Sequence, residues 1–113
     1  MADALIERLI GPFREHLPEV LGRDYRELHA IPELAFRESQ TALYLAERLR
    51  RLGMEPRTGL AGTGLIVELP GGGEGPTVVL RADMDALPVV EAPTHDPRSQ
   101  HEGLMHACGH DGH

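Results

Sequence analysis

The sequence has one cysteine, no tryptophan, and only two phenylalanines and two tyrosines in 113 residues. A single thiol, Cys108, rules out an intramolecular disulfide. It fits a reducing compartment and leaves metal binding, catalysis or burial as the roles open to it. With aromatics this scarce, the core is expected to rest on Leu, Val, Ile and Ala. No apolar run approaches the roughly 20 residues that a membrane-spanning helix needs. Basic residues are outnumbered: 11 against 18 acidic ones, a net charge of -7. That balance argues against nucleic acid or an anionic membrane as partner, since either needs a basic face. The opening Met1–Arg8 lacks a basic region followed by an apolar stretch, so no secretory signal is expected and the cytoplasm is the expected location.

What is present is the composition of a globular chain, 41% hydrophobic and 26% charged, one domain or part of one. Leu5, Ile6, Leu9, Ile10 and Phe13 recur at helical spacing, and Gly11-Pro12 interrupts them. A second helix is expected from about Pro18 to His29. Leu43, Ala46, Leu49 and Leu52 form the apolar stripe of a third, capped by Ser39 or Thr41 and ended at Gly53. After Gly53 the period changes. Met54–Arg57 and Gly64–Leu69 read as strands, and Thr77–Ala82 reads as a strand covered on both faces across Val78–Leu80. The result is an α/β layer domain that looks incomplete, with too few strands to cover its own sheet.

The chemistry is concentrated at two places. His101, His106, His110 and His113 fall in the last thirteen residues, together with Cys108 and Asp111. Imidazole and thiolate are the preferred ligands of zinc and similar divalent transition metals. Gly109 and Gly112 give the backbone freedom that lets Cys108 and His110 converge. Any one of these histidines alone reads better as a solvated loop residue; the cluster reads as a metal site. The second place is Arg81–Pro88, where an apolar run ends in Asp83 and Asp85. Ligands sit at that carboxyl end in open α/β sheets, and a spacing of two points both carboxylates the same way. Metal binding, orientation of a ligating histidine, acid/base work, helix capping or pairing with Arg81 are all open to them. The turn Leu28–Leu34, with His29 and Glu33, reads as structural rather than catalytic. Gly62-Thr63-Gly64 lacks the further glycines and lysine of a phosphate loop.

Together, Leu28–Leu34 with Phe36 and Glu38, then Gly62-Thr63-Gly64, Leu80–Pro88 and Met105–His113 resemble the dinuclear-metal aminoacylase and carboxypeptidase family. The resemblance is to its branch of hippurate hydrolases, indoleacetyl-amino-acid hydrolases and N-acetyl-diaminopimelate deacetylases, and it runs from about Arg26 to His113. It implies residues 1–113 as the N-terminal portion of a zinc-exopeptidase-like catalytic domain, with helices packed on a mixed sheet. It implies two divalent metal ions, zinc or manganese with nickel or cobalt as further options, held in part by Cys108 and His110. Asp85 matches the aspartate that orients the site, the catalytic role. Asp83 stands where other branches carry a ligating histidine. His106, Asp111 and His113 would be supporting or substrate-facing. The implied reaction is hydrolysis of the amide bond of a small N-acyl amino acid by a metal-activated water, with a glutamate as general base. That glutamate, the remaining ligands and a lid domain able to form homodimers or homotetramers would lie past His113, so residues 1–113 alone are expected to be inactive. Two other readings stay open on the residues themselves. One is a stand-alone metal-binding module using Cys108 and His110 with His106 or His113. The other is a cysteine nucleophile enzyme, which lacks an accompanying oxyanion framework.

Overall fold

The computed structural model describes residues 2–113. Three helices come first: α1 (Ala2–Ile10), α2 (Leu17–Ala30) and α3 (Ser39–Arg51), with a 3-10 turn at Gly11–Phe13. Strands β1 (Arg57–Leu60) and β2 (Gly64–Ile66) follow as an antiparallel pair, and a last 3-10 turn covers His110–Gly112. The helices fall where periodicity and punctuation put them. Pro12 ends the first, Pro18 opens the second at a position where its missing N–H costs nothing, and Gly53 closes the third with φ +80°. There the Gly53 amide bonds the Arg50 carbonyl at 2.9 Å and the Met54 amide bonds that of Leu49 at 3.1 Å, a left-handed C-terminal cap that a side chain would resist.

The cap at the other end of α3 differs from expectation. Neither Ser39 nor Thr41 occupies the N-cap position, which falls to Glu38 without a side-chain cap bond. The work is done by Glu33, five residues upstream of Glu38. Its carboxylate accepts from the Thr41 amide (2.8 Å), the Thr41 hydroxyl (2.9 Å), the Gln40 amide (3.2 Å) and the Ser39 hydroxyl (3.4 Å). Burial alone would raise the Glu33 pKa, but the Thr41 and Gln40 donors more than offset it and hold the carboxyl below its ordinary value. The turn Leu28–Leu34 is thus structural in part, as expected.

The strand assignments need correction. β1 starts at Arg57, where Met54–Arg57 was expected to be strand, because a bulge between Thr58 and Leu60 and the tight turn through Ala61-Gly62-Thr63 set the register from the far side. Thr77–Ala82 is not a strand. Val78, Val79 and Leu80 are 80%, 81% and 94% exposed, because residues 2–113 bring no neighbouring strand to its backbone and no layer to its faces. The apolar core is correspondingly small. Among the described residues Ala46, Ala86 and Pro32 are buried apolar residues, while His29, Glu33, Glu38, Thr41, His106 and Asp111 are buried although polar. The radius of gyration, 16.2 Å, exceeds the roughly 13 Å of a compact domain of this length.

What organises the second half is pairing of short extended pieces. A parallel bridge joins Leu34 to Ala86 and an antiparallel one joins Leu87 to Met105. The Ala86 amide donates to the Glu33 carbonyl at 2.7 Å, and Leu87 and Met105 exchange two bonds of 3.0 Å. These bridges set the segment ending in Asp85 between the turn after α2 and the segment leading to Cys108.

Candidate functional site

Asp85 immediately precedes the bridged pair Ala86-Leu87, so its backbone is fixed by Glu33 and Met105 on either side. From the other segment, Gly109 adopts φ +81° and turns the chain into the His110–Gly112 helical turn. That reversal brings His110 and Cys108 back onto Asp85. The His110 Nδ1–H donates to both the Asp85 carbonyl and its carboxylate Oδ1, each at 3.0 Å, and the Cys108 thiol donates to the same carbonyl at 3.4 Å. With Nδ1 committed as donor, the lone pair of His110 lies on Nε2. A carboxylate fixing the tautomer through the other ring nitrogen is the usual support of a metal-ligating histidine.

Asp83, His110 and His113 place one ligand atom each within 4.8 Å of one another. Asp83 is also ion-paired to Arg81, one of the pairings open to it on sequence grounds. Asp83 and Asp85 both line a cleft with Glu38, Thr63, Phe36 and Met84, and at its edge the Thr63 hydroxyl donates to Glu38. Gly62-Thr63-Gly64 is therefore a strand-entry turn. Cys108 is exposed and joins neither of the two ligand clusters found among the described residues. His106 is buried, and neither ring nitrogen has a hydrogen-bond partner among the described residues. Burial is the main cause that pushes its pKa down, and the Asp111 carboxylate opposes it only in part. His101 lies apart from the cluster, with Nδ1 donating to the Pro32 carbonyl at 2.8 Å.

Asp111 points away from His110, into the protein. Its Oδ2 accepts from His29 Nδ1 at 2.6 Å, and His29 Nε2 donates to Glu91 Oε1 at 2.7 Å. The Glu91 carboxylate also takes the Ser99 amide at 2.7 Å. His29 is the largest fully buried side chain among the described residues. Burial would depress its pKa, yet the bonds to Glu91 and Asp111 raise it, and the His29 bond in turn holds Glu91 low. Sequence reading had no signal for Glu91, and it left His29 as a turn residue. Partners 62 and 82 residues apart leave no local pattern.

Residues 79–113 match the profile of the peptidase family M20/M25/M40. The chain is 42% identical over 110 residues to thermostable carboxypeptidase 1 of Saccharolobus solfataricus, covering 96% of this chain and 28% of that one. It is 46% identical over 88 residues to an N-acyl-L-amino acid amidohydrolase of Geobacillus stearothermophilus, covering 78% and 24%. The chain belongs to the M20/M25/M40 family. Its fold agrees: the crystal structure of the Bacillus subtilis YXEP protein, a dinuclear metal binding peptidase of the M20 family, superposes with a TM-score of 0.79 at 37% identity. The match covers 86% of this chain and 27% of that one. The α/β peptidase architecture expected from the sequence is therefore present in part, and the chain spans about a quarter of the length of these relatives. Among the described residues, no helix is long and apolar enough to cross a membrane.

Proposed function

We propose that residues 1–113 form the N-terminal portion of the catalytic domain of a metal-dependent hydrolase that cleaves the amide bond of small N-acyl amino acids. The observation that carries this reading is the double contact of His110 Nδ1 with Asp85, which leaves Nε2 free, together with the Cys108 thiol that bonds the same Asp85 carbonyl. An imidazole nitrogen and a thiolate fit a zinc-like divalent ion. Cys108 and His110 are the ligands, and Asp85 orients His110. Asp83 and His113 each place a ligand atom within 4.8 Å of His110, a group that Cys108 does not join. A bound metal would supply Lewis acidity toward a carbonyl oxygen and lower the pKa of a coordinated water.

The residues of this chain do the rest of the work assigned here. Asp85 keeps the proton on Nδ1 and so holds His110 in its ligating tautomer. His106, buried and driven toward its neutral form, offers an uncharged imidazole beside the site. The cleft through Phe36, Glu38 and Thr63 is where substrate would approach. Names of relatives support the substrate class: one is an N-acyl-L-amino acid amidohydrolase and another an N-acetyldiaminopimelate deacetylase. A lone cysteine supports a reducing, cytoplasmic setting.

Cobalt(II) titration of the chain tests the ligand assignment. A near-ultraviolet thiolate-to-cobalt band is expected, lost in Cys108→Ser and weakened in His110→Ala. Binding without that band, or a band that survives Cys108→Ser, overturns the assignment.

A further inference from the structure

We propose that His29 is a positioning residue for the metal-ligating turn: by bonding Asp111 and Glu91 at once, it locks the Cys108–His110 segment onto helix α2. The inference rests on the metal-centre reading above and adds to it a residue that no ligand set would name.

His29 lies in the last turn of α2, 2% exposed, with Asp111 and Glu91 side chains 2% and 5% exposed. Its two bonds, 2.6 and 2.7 Å, tie three segments together: the end of α2, the loop at Glu91, and the helical turn His110–Gly112. Asp111 is the residue next to His110, and Gly109 in its left-handed conformation has no intrinsic preference that would hold the turn. The Asp111–His29 bond is the side-chain anchor of that turn to a helix. Glu91 in turn is fixed by the Ser99 amide, and Gln100 bonds the Ala30 carbonyl at 2.9 Å, so the anchor is itself braced.

Two other readings of this cluster fail, the first on geometry and the second on energetics. His29, Glu91 and His95 could be taken for a second metal site, since their ligand atoms lie within 4.8 Å. But the His29 and His95 rings are stacked, centroids 5.0 Å apart and planes 24° apart, whereas two ligands of one ion must aim in-plane lone pairs at a common point. Both nitrogens of His29 are also already committed to carboxylates, and His95 Nδ1 donates to the Pro97 carbonyl at 2.7 Å. Stability alone is a poor account too, because apolar groups of similar volume generally stabilise at least as well as a buried charged triad. What the triad adds is direction: hydrogen bonds specify where Asp111 sits, and with it His110.

Cobalt(II) affinity of the full chain, wild type against His29→Gln and Glu91→Gln, tests this. Both variants are expected to bind cobalt about 10- to 100-fold more weakly, the range for loss of a supporting partner, with Glu91→Gln the milder and with helical circular dichroism retained. Glu91→Gln keeps the side-chain volume and decides the matter should His29→Gln fail to fold. A merely structural clamp would lower the melting temperature of the metal-free variants and leave cobalt affinity and the thiolate band unchanged; that result overturns the role given to His29. A wild-type chain that shows no thiolate band overturns the metal-centre reading, and this inference with it.

Discussion

Replacing Glu33 by alanine removes a cap that the rest of the helix cannot replace. The carboxylate accepts four hydrogen bonds, two of them from the Gln40 and Thr41 amides of the first turn of α3, and Glu33 and Thr41 are 8% and 2% exposed. Water cannot easily take over at that burial. An ordinary N-cap is worth about 1 kcal/mol. Leaving a buried donor without a partner costs about 1–3 kcal/mol, and here the Thr41 amide and hydroxyl both lose theirs. Glu33→Ala should therefore destabilise by about 3 kcal/mol, and Glu33→Gln, which keeps one acceptor oxygen and sets an amide NH2 against the remaining donors, by about half of that. The sign with pH follows from the lowered carboxyl pKa. The contribution is complete above the unfolded value of 4.5 and is lost as pH falls through the lower folded value. Equilibrium urea unfolding followed by helical circular dichroism, at neutral pH and at acid pH, measures both. A Glu33→Ala loss under 0.5 kcal/mol at neutral pH, or a variant whose deficit persists unchanged below the folded pKa, would refute the capping argument.

Other perturbations follow from the same geometry. His29 has a raised pKa, so its contribution is complete below the ordinary value of 6.5 and is lost as pH rises through the folded value. Melting temperature measured upward from pH 6 should decline in the wild type more than in His29→Gln. Gly109→Ala meets no atom within 4 Å, so its whole cost is the left-handed backbone at φ +81°, about 1–2 kcal/mol by urea unfolding; because that turn carries His110, cobalt affinity should fall with it. The Tyr44 hydroxyl donates to Asp24 at 2.7 Å, and burial first, then that bond, pushes its pKa up to about 12. Ultraviolet titration should show one tyrosine ionising that late, and Tyr44→Phe should lose it together with about 1 kcal/mol of stability.

Local information was enough for the helices, because apolar spacing, Pro12, Pro18 and Gly53 each act within a turn of where they stand. The proposal of Cys108 and His110 as ligands also rests on local information, since a dense run of ligand-type side chains is itself local, and that of Asp85 on the end of an apolar run. Three things were out of reach. Val78–Leu80 has every local feature of a buried strand, but a strand is made by its neighbours, and residues 2–113 supply none. The helix cap was misassigned to Ser39 or Thr41 because the usual cap residues were at hand, while the acceptor came from the preceding turn. The His29–Asp111 bond spans 82 residues, and its distance in sequence hides a pair of unlike charges that each look solvated.

What stabilises this chain is distinct from what shapes its site. Large apolar side chains such as Leu43, Leu52 and Leu80 are exposed, while the buried interior is occupied by His29, Glu33, Glu38, Thr41, His106 and Asp111. Removing one partner of a buried charged cluster leaves the others uncompensated and typically costs about 3–5 kcal/mol, whereas replacing the whole cluster with apolar side chains is often neutral or stabilising by about 1–4 kcal/mol. The triple replacement His29→Leu, Asp111→Leu, Glu91→Met therefore separates the two roles. Its urea midpoint should match or exceed that of the wild type and lie well above that of His29→Gln. Its cobalt affinity should nevertheless remain as poor as in the single variant, because leucine packs against leucine without dictating where residue 111 sits or which way His110 faces. Recovery of cobalt binding along with stability would mean that packing alone positions the turn, and the hydrogen bonds of His29 would then have no part in it.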